Sequence, residues 1–279
     1  MPDSISKTVL PDGLQLAYRR WGTGQAAGQA LLIHPLALDG SLWAPVAERL
    51  AEKGFDVVAP DCRGHGQSGK APGPYSVQQF GSDMEALLDH LGWEDAIVAG
   101  CSMGGCVAQA LALAAPRRLA GLVLVDTTAW YGPEAPRNWG ERADKARTEG
   151  LAAMSGFQAT RWFSDAWRAA NPGIVANVTE IFVANDLACY AASCGMLGNA
   201  DLREGLEHVT VPTNVIVGEE DYATPVSASE DLVRRIPGAT LAVLPGARHL
   251  TLVECPDAVA TALLDVASLV APAPDRRRR

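Results

Sequence analysis

The chain has 279 residues, of which 48% are hydrophobic and 20% charged, and its formal net charge is −9 at pH 7. This composition is typical of a globular protein with one large α/β domain, or a domain with a sizeable insertion. An acidic chain lacks the basic face that binds nucleic acid, so we expect no nucleic-acid partner.

The sequence also bears on compartment and cofactors. Residues 1–4 show no signal-peptide pattern, and no apolar run reaches the roughly 18 residues of a membrane span. The cysteines lack CxxC or Cys/His metal-ligand spacing. They are Cys62, Cys101, Cys106, Cys189, Cys194 and Cys255. We therefore expect a cytoplasmic protein with reduced thiols, no metal, no cofactor and no membrane contact.

Short apolar runs bounded by turn residues predict β-strands. In chain order they cover residues 8–10, 14–18, 30–34, 55–59, 96–99, 122–125, 214–217 and 241–244. Apolar residues spaced three or four apart predict helices between them. These cover residues 43–53, 77–91, a segment that begins near 104, 226–236 and 256–270. Alternating strands and helices indicate a mostly parallel sheet with helices on both faces.

The alternation of strands and helices stops at Thr127. Residues 130–208 contain four of the seven tryptophans but no strand candidate. Helices are predicted there over residues 150–160, 164–170, 174–184 and 187–196. We therefore predict an α/β core over 1–127 and 209–272, an inserted helical cap over 128–208, and a disordered tail over 273–279.

A Gly-x-Ser-x-Gly pattern follows the predicted strand 96–99 and precedes a helix, with Ser102 at its centre. This is the pattern of a nucleophile elbow, in which a sharp turn exposes the serine hydroxyl. Strand and helix almost touch there, so only small residues fit at Gly100 and Gly104. The alternative is a Gly/Ser loop that merely closes the turn.

A serine hydroxyl needs a histidine to accept its proton and an acid to orient that histidine. The acid is expected just after the strand 214–217, where Asp221 lies. Glu219 and Glu220 in the same loop are more typical of solvated charges. Asp126, which ends the preceding strand, is a second candidate acid.

The histidine is expected after the last strand, and His249 lies there. His90 and His208 occupy helical or linker positions typical of surface or packing residues. His65 lies in a loop at the catalytic edge, where we interpret it as structural. Ser102, Asp221 and His249 thus form a candidate catalytic triad.

An oxyanion hole needs two backbone N–H groups directed at the developing negative charge. Met103 in the elbow provides the first, and Leu36, after the strand 30–34, is best placed for the second. Pro35 has no N–H to donate. Cys101 and Cys106 beside the elbow are interpreted as packing residues.

With these residues placed, the chain resembles the α/β-hydrolase superfamily over nearly its whole length, in which the triad order is Ser, Asp, His. It is most similar to the 3-oxoadipate enol-lactonases. The matching segments are 36–43, 61–68, 100–105, 161–163, 185–186, 189–192, 218–225 and 236–239. Three features depart from the family pattern: His34-Pro35 replaces a small polar pair, Ala37 a glycine, and Cys101 a larger apolar residue.

The resemblance implies hydrolysis of a small enol-lactone, in aromatic-compound catabolism, through an acyl-enzyme on Ser102. Such a substrate carries a free carboxylate, for which Arg161 is the candidate cation. An exposed pair with Asp165 on the same helix is the alternative for Arg161. Trp130 and Trp162 are candidates for the apolar wall of the pocket, although plain packing would also explain them.

Other functions remain open from the sequence. A carboxylesterase, a C–C bond hydrolase and a perhydrolase-like enzyme could share the scaffold and the Ser102 nucleophile. A ligand-binding protein that has lost catalysis is a candidate of a different class. The sequence does not predict the oligomeric state.

Overall fold

The protein is described by a computed structural model over residues 5–22 and 27–270. Within those ranges eight strands form one sheet. They are β1 (Ser6–Val9), β2 (Gln15–Trp21), β3 (Gly28–Ile33), β4 (Phe55–Pro60), β5 (Ala96–Cys101), β6 (Leu119–Val125), β7 (Thr213–Gly218) and β8 (Thr240–Leu244). The predicted strands are therefore all present.

The strands lie in the order β1-β2-β4-β3-β5-β6-β7-β8. The pairs β1–β2 and β2–β4 are antiparallel, and the remaining five pairs are parallel. β4 and β5 are buried along their whole length, as expected for strands covered on both faces. Parallel strands end at one edge of the sheet, so the loops after β3, β5, β7 and β8 meet there.

Helices surround this sheet. They are α1 (Ala44–Glu52), α2 (Val77–Leu91), α3 (Met103–Ala114), α4 (Ala135–Glu149), α5 (Leu151–Trp162), α6 (Asp165–Ala170), α7 (Pro172–Val183), α8 (Leu187–Gly198), α9 (Val226–Arg235), α10 (Thr251–Glu254) and α11 (Pro256–Leu269). α3 and α11 pack on the sheet, α2 packs on α3, and α1 packs on α11. The eight-stranded, mostly parallel sheet surrounded by helices agrees with the predicted architecture.

Helices α4 to α8 lie between β6 and β7, with no strand among the described residues of that segment. α4 was missed by the sequence analysis because it is mostly polar, and its buried residues are only Ala135, Ala143 and Ala146. These alanines form no stripe of large apolar residues. They let α4 pack closely on α8, which is also rich in small buried residues. The cap boundaries 128–208 stay a prediction.

Two further expectations concern the C-terminal tail and membrane-spanning helices. The predicted disordered tail, 273–279, lies outside the described residues. Over residues 5–22 and 27–270, no single helix is long and apolar enough to cross a membrane. The bent pair α7 and α8, with an angle of 94° between them, meets the length and composition criteria only when the two are taken together.

Candidate active site

Ser102 occupies a strained turn between β5 and α3. Its backbone has φ 52° and ψ −114°, a conformation that L-residues rarely adopt. A Cβ at Gly100 would overlap the carbonyl oxygen of Gly104, and one at Gly104 would overlap that of Ile33. The two glycines of the motif are therefore required by close backbone approach, as the sequence pattern predicted.

The three residues of the candidate triad lie within hydrogen-bond distance of each other. Nε2 of His249 is 3.0 Å from Oγ of Ser102, and its Nδ1 is 2.8 Å from Oδ2 of Asp221. Ser102 follows β5, Asp221 follows β7 and His249 follows β8, so the shared carboxyl edge brings them together. A hydroxyl, an imidazole and a carboxylate in this series can activate the serine as a nucleophile.

Asp221 is held as an ionised acceptor. Its Oδ1 accepts hydrogen bonds from the N–H groups of Ala223 at 2.7 Å and Thr224 at 3.1 Å. Its Oδ2 also accepts from the Thr224 hydroxyl at 2.8 Å. Burial raises the pKa of Asp221, but His249 and these donors outweigh it and hold the pKa below its usual value. The carboxylate thus stays charged while it orients the imidazole.

Asp126, the second candidate acid, is engaged elsewhere. Its Oδ1 accepts from the N–H of Gly218 at 3.0 Å. Its Oδ2 accepts from the N–H and the hydroxyl of Thr251, at 2.9 and 2.7 Å. Burial and the charge of Asp221 raise the pKa of Asp126 well above its usual value. Asp126 therefore ties together the loops that carry the acid and the histidine.

The two glutamates before Asp221 lie at the surface. Oε2 of Glu219 accepts a hydrogen bond from the N–H of Gly246 at 3.0 Å. Glu220 forms an ion pair with Arg248 at 2.8 Å. Both side chains are exposed, in agreement with their interpretation as solvated loop charges.

Two backbone N–H groups are available for an oxyanion. Met103 begins α3, so its N–H has no partner within the helix. Leu36 lines the same cavity as Ser102. The loop that carries Leu36 is shaped by Ala37, whose φ of 59° is a conformation that favours glycine.

His34 holds this loop through two hydrogen bonds, a role that no sequence pattern indicated. Its Nε2 accepts a hydrogen bond from the N–H of Cys62 at 2.8 Å, and its Nδ1 donates to the carbonyl oxygen of Pro35 at 2.8 Å. Burial lowers the pKa of His34 and lowers that of the neighbouring His65 to about 3. Both imidazoles are therefore neutral near neutral pH.

A small cavity lies over Ser102. It is lined by Pro35, Leu36, Ser102, Tyr131, Trp139, Arg142, Gln158, Arg161, Trp162, Ala223, Thr224 and His249. Helices α4 and α5 thus contribute polar and aromatic side chains opposite the catalytic edge.

Arg161 lies in this cavity, as the sequence analysis proposed. The pair with Asp165 is not formed, because Asp165 pairs with Arg168 and Arg248. Among the described residues Arg161 has no ion pair. Burial, together with the charge of Arg142, lowers the pKa of Arg161. The guanidinium of Arg161 is therefore available to pair with an anion in the cavity.

The two predicted tryptophans are in different places. Trp162 lines the cavity and packs edge-on against Phe182. Trp130 instead lines a neighbouring surface groove, where the Arg203 guanidinium lies 3.7 Å from its ring centre. The next residue, Tyr131, occupies the cavity wall. The prediction that Trp130 lines the cavity is thus corrected, because its neighbour Tyr131 lies there instead.

Arg142 and Gln158 also line the cavity, although no sequence pattern indicated either of them. Arg142 lies on α4, where its Nε donates to the Tyr190 hydroxyl at 2.7 Å and its Nη2 to Oε1 of Gln158 at 3.1 Å. Its guanidinium also lies 5.0 Å from the ring centre of Trp139. The absence of an apolar pattern in α4 left no signal that this helix faces the site.

The remaining groups near the site have no assigned chemistry. All six cysteines are free, and burial raises the pKa of Cys101 well above its usual value and that of Cys106 to about 11. Both are therefore neutral packing residues. Over the described ranges, no cluster of three or more His, Cys, Asp or Glu side chains is arranged to hold a metal ion.

The chain is similar to known hydrolases over most of its length. Residues 24–256 match the family described as serine aminopeptidase, S33. The chain is 36% identical over 236 residues to 3-oxoadipate enol-lactonase 2 of Acinetobacter baylyi, which covers 84% of this chain and 87% of that protein.

Two solved structures are similar in fold and sequence. The enol-lactonase from Burkholderia xenovorans LB400 has a TM-score of 0.89 and 34% identity, over 94% of this chain and 100% of that chain. A thermophilic esterase from Thermogutta terrifontis, with malate bound, has a TM-score of 0.87 and 30% identity, over 96% and 100%. Similar proteins thus include both a lactonase and an esterase.

Proposed function

The chain belongs to the serine aminopeptidase S33 family of α/β-hydrolases and is an ester-bond hydrolase, and on that basis we propose that it hydrolyses 3-oxoadipate enol-lactone. The setting would be cytoplasmic breakdown of aromatic compounds. The observation that carries the proposal is the pair Arg142 and Arg161, which lines the same cavity as Ser102. This pair suits a small lactone with a free carboxylate, because guanidinium groups bind carboxylates through paired N–H donors.

In the proposed reaction, Oγ of Ser102 attacks the lactone carbonyl carbon while Nε2 of His249 accepts the hydroxyl proton. Asp221 holds the imidazole through Nδ1 and stabilises its positive charge. The oxyanion accepts hydrogen bonds from the N–H groups of Met103 and Leu36. All five groups lie at the carboxyl edge of the sheet.

When the tetrahedral intermediate collapses, the ring C–O bond breaks and the enol oxygen leaves with a proton from His249. Ring opening keeps both parts of the substrate in one molecule. The acyl group on Ser102 is therefore a chain that ends in the free carboxylate. A water molecule, deprotonated by His249, then releases the dicarboxylate product and restores the serine.

The charges of the cavity support an anionic substrate. Arg142 and Arg161 both line the cavity, and burial, together with the charge of Arg142, lowers the pKa of Arg161. A substrate carboxylate between them would relieve this repulsion. The related esterase from Thermogutta terrifontis binds malate, itself a dicarboxylate, which supports binding of a small acid on this scaffold.

The proposal is tested by comparing turnover of 3-oxoadipate enol-lactone with that of p-nitrophenyl butyrate. We expect kcat/KM to be higher for the lactone by about 100-fold, since hydrogen bonds to charged groups each contribute about 1.5–3 kcal/mol. Negligible lactone turnover beside fast cleavage of the neutral ester would instead support a general carboxylesterase. Cleavage of neither, with turnover of a C–C or peracid substrate, would support a C–C bond hydrolase or a perhydrolase-like enzyme.

The nucleophile is tested by Ser102→Ala and by fluorophosphonate labelling. The substitution should lower kcat by about 10⁴-fold or more while the melting temperature is kept, since the triad acts as a unit. The wild-type protein should form a covalent adduct on Ser102. A folded wild-type protein that forms no adduct would support a binding protein without catalysis.

A further inference from the structure

Gln158 lies in the wall of the catalytic cavity with one end of its amide unused. The residue is 1% exposed and lines the same cavity as Ser102. Its Oε1 accepts the hydrogen bond from Arg142. Its Nε2 is buried and has no hydrogen-bond partner within residues 5–22 and 27–270. Native proteins seldom leave a buried donor unpaired, so this group needs an explanation.

The contact with Arg142 fixes the orientation of the amide. An exchange of oxygen and nitrogen would direct Nε2 of Gln158 at the guanidinium, and two donors would then face each other. Arg142 is itself held from its other side by the Tyr190 hydroxyl, at 2.7 Å. With Oε1 turned to Arg142, Nε2 is the end that remains for a ligand in the cavity.

We propose that Gln158 determines specificity for acidic substrates, by donating a hydrogen bond from Nε2 to the carboxylate that ends the acyl chain. This carboxylate would lie beside Arg142 and Arg161. The proposal rests on the proposed function only in that the substrate is acidic. A carboxylate accepts several hydrogen bonds, so the amide and two guanidinium groups can serve both oxygens.

A neutral donor suits this place for a physical reason. Arg142 and Arg161 already repel each other in a partly buried site. A third cation would add to that repulsion, whereas an amide adds a directed N–H without charge. Gln158 also holds Arg142, so one side chain aligns two donors toward the same ligand.

The test compares two p-nitrophenyl esters with six-carbon acyl chains, the mono-adipate ester and the hexanoate ester. Gln158→Met should lower the ratio of kcat/KM, adipate over hexanoate, by about tenfold relative to wild type. The loss should lie mainly in KM, because the remote carboxylate is bound in ground state and transition state alike. Gln78→Met, on the exposed face of α2, controls for the substitution and should keep the wild-type ratio.

Two further variants separate donation by Nε2 from support of Arg142. Tyr190→Phe removes the other contact of Arg142 and leaves the amide in place, so it should lower the ratio by only about twofold to threefold. Gln158→Glu keeps an acceptor for Arg142 but places a carboxylate oxygen where Nε2 lies. It should lower the ratio more than Gln158→Met does.

An unchanged ratio in folded Gln158→Met would overturn the proposal. Equal losses in Gln158→Met and Tyr190→Phe would also overturn it, because Gln158 would then act only through Arg142. These esters report on the cavity whether or not the lactone is a substrate. If the protein did not hydrolyse the lactone but showed these shifts in the ester ratio, the proposed function would be refuted. The role of Gln158 would still be supported.

Discussion

The sheet edge and the cap helices hold their groups in the cavity by different means. Ser102, Asp221 and His249 each follow a strand, and main-chain hydrogen bonds fix their loops. The N–H of Ser102, for example, donates to the carbonyl oxygen of Val125 in the next strand at 2.9 Å. A side chain on such a frame has little freedom, as reaction geometry requires.

On the cap side, the polar groups are held by other side chains. Arg142 on α4 depends on the Tyr190 hydroxyl and on the amide of Gln158 from α5. Arg161 has no ion pair among the described residues. Because these contacts can change without disturbing a strand, the cap can be altered for a new substrate while the reaction is kept. Changes at the sheet edge should therefore reduce kcat, and changes in the cap should mainly raise KM.

The largest expected effect separates two buried acids of the sheet edge. Asp221→Asn should lower kcat by about 10⁴-fold, because the amide oxygen would stay on the N–H groups of Ala223 and Thr224. Its NH₂ would then face Nδ1 and favour the wrong tautomer of His249. Asp126→Asn should lower the melting temperature but keep kcat within about tenfold, since Asp126 bonds Gly218 and Thr251 rather than the imidazole. Steady-state kinetics and thermal unfolding on both variants give the comparison.

If folded Asp126→Asn protein lost as much kcat as Asp221→Asn, Asp126 would share the role of the acid. Circular dichroism at the assay temperature is the control for foldedness. The division of roles between the two aspartates would then have to be revised.

A smaller effect is expected on the cap side. Arg161→Met should raise KM for the lactone by about 10- to 100-fold with little change in kcat, because it removes a charge-assisted bond to the substrate carboxylate. Arg137→Met is the matched control, since Arg137 is a mostly exposed arginine at 66% side-chain exposure on α4. A kcat loss larger than the KM change would mean that Arg161 acts on the reacting atoms and not only on binding of the substrate carboxylate.

The same difference explains how much the sequence could predict. Strand ends and the glycine-rich elbow have local signatures, because steric contact at Gly100 and Gly104 restricts the residue type. The order of elements therefore located Ser102, Asp221 and His249. Arg142 had no such signature, since its helix buries only alanines and faces the cavity through tertiary packing.

Side-chain direction was the other limit. Trp130 and Tyr131 are neighbours in an irregular segment, and no periodicity indicates which of them faces the cavity. The structure places Tyr131 there. Likewise, the sequence presented His34 only as an unusual residue, because its partner at Cys62 lies 28 positions away.

The last difference concerns the response of the two regions to acid. His34 and His65 lie in the loops that follow β3 and β4. Burial lowers the pKa of both in the folded protein. The helices α4 to α8 contain no histidine. In the unfolded chain a histidine takes up its proton near pH 6.5. The unfolded state thus binds more protons below that pH, and the free energy of unfolding should fall as the pH is lowered.

For His65, whose pKa in the folded protein is about 3, the loss should extend from about pH 6.5 toward pH 3, at up to about 1.4 kcal/mol per pH unit. Urea unfolding across this range for wild type and His65→Gln isolates the contribution, since other titrating groups cancel in the difference. His208→Gln, at an exposed residue, should leave the slope unchanged. If His65→Gln also left it unchanged, His65 would not be buried in its neutral form.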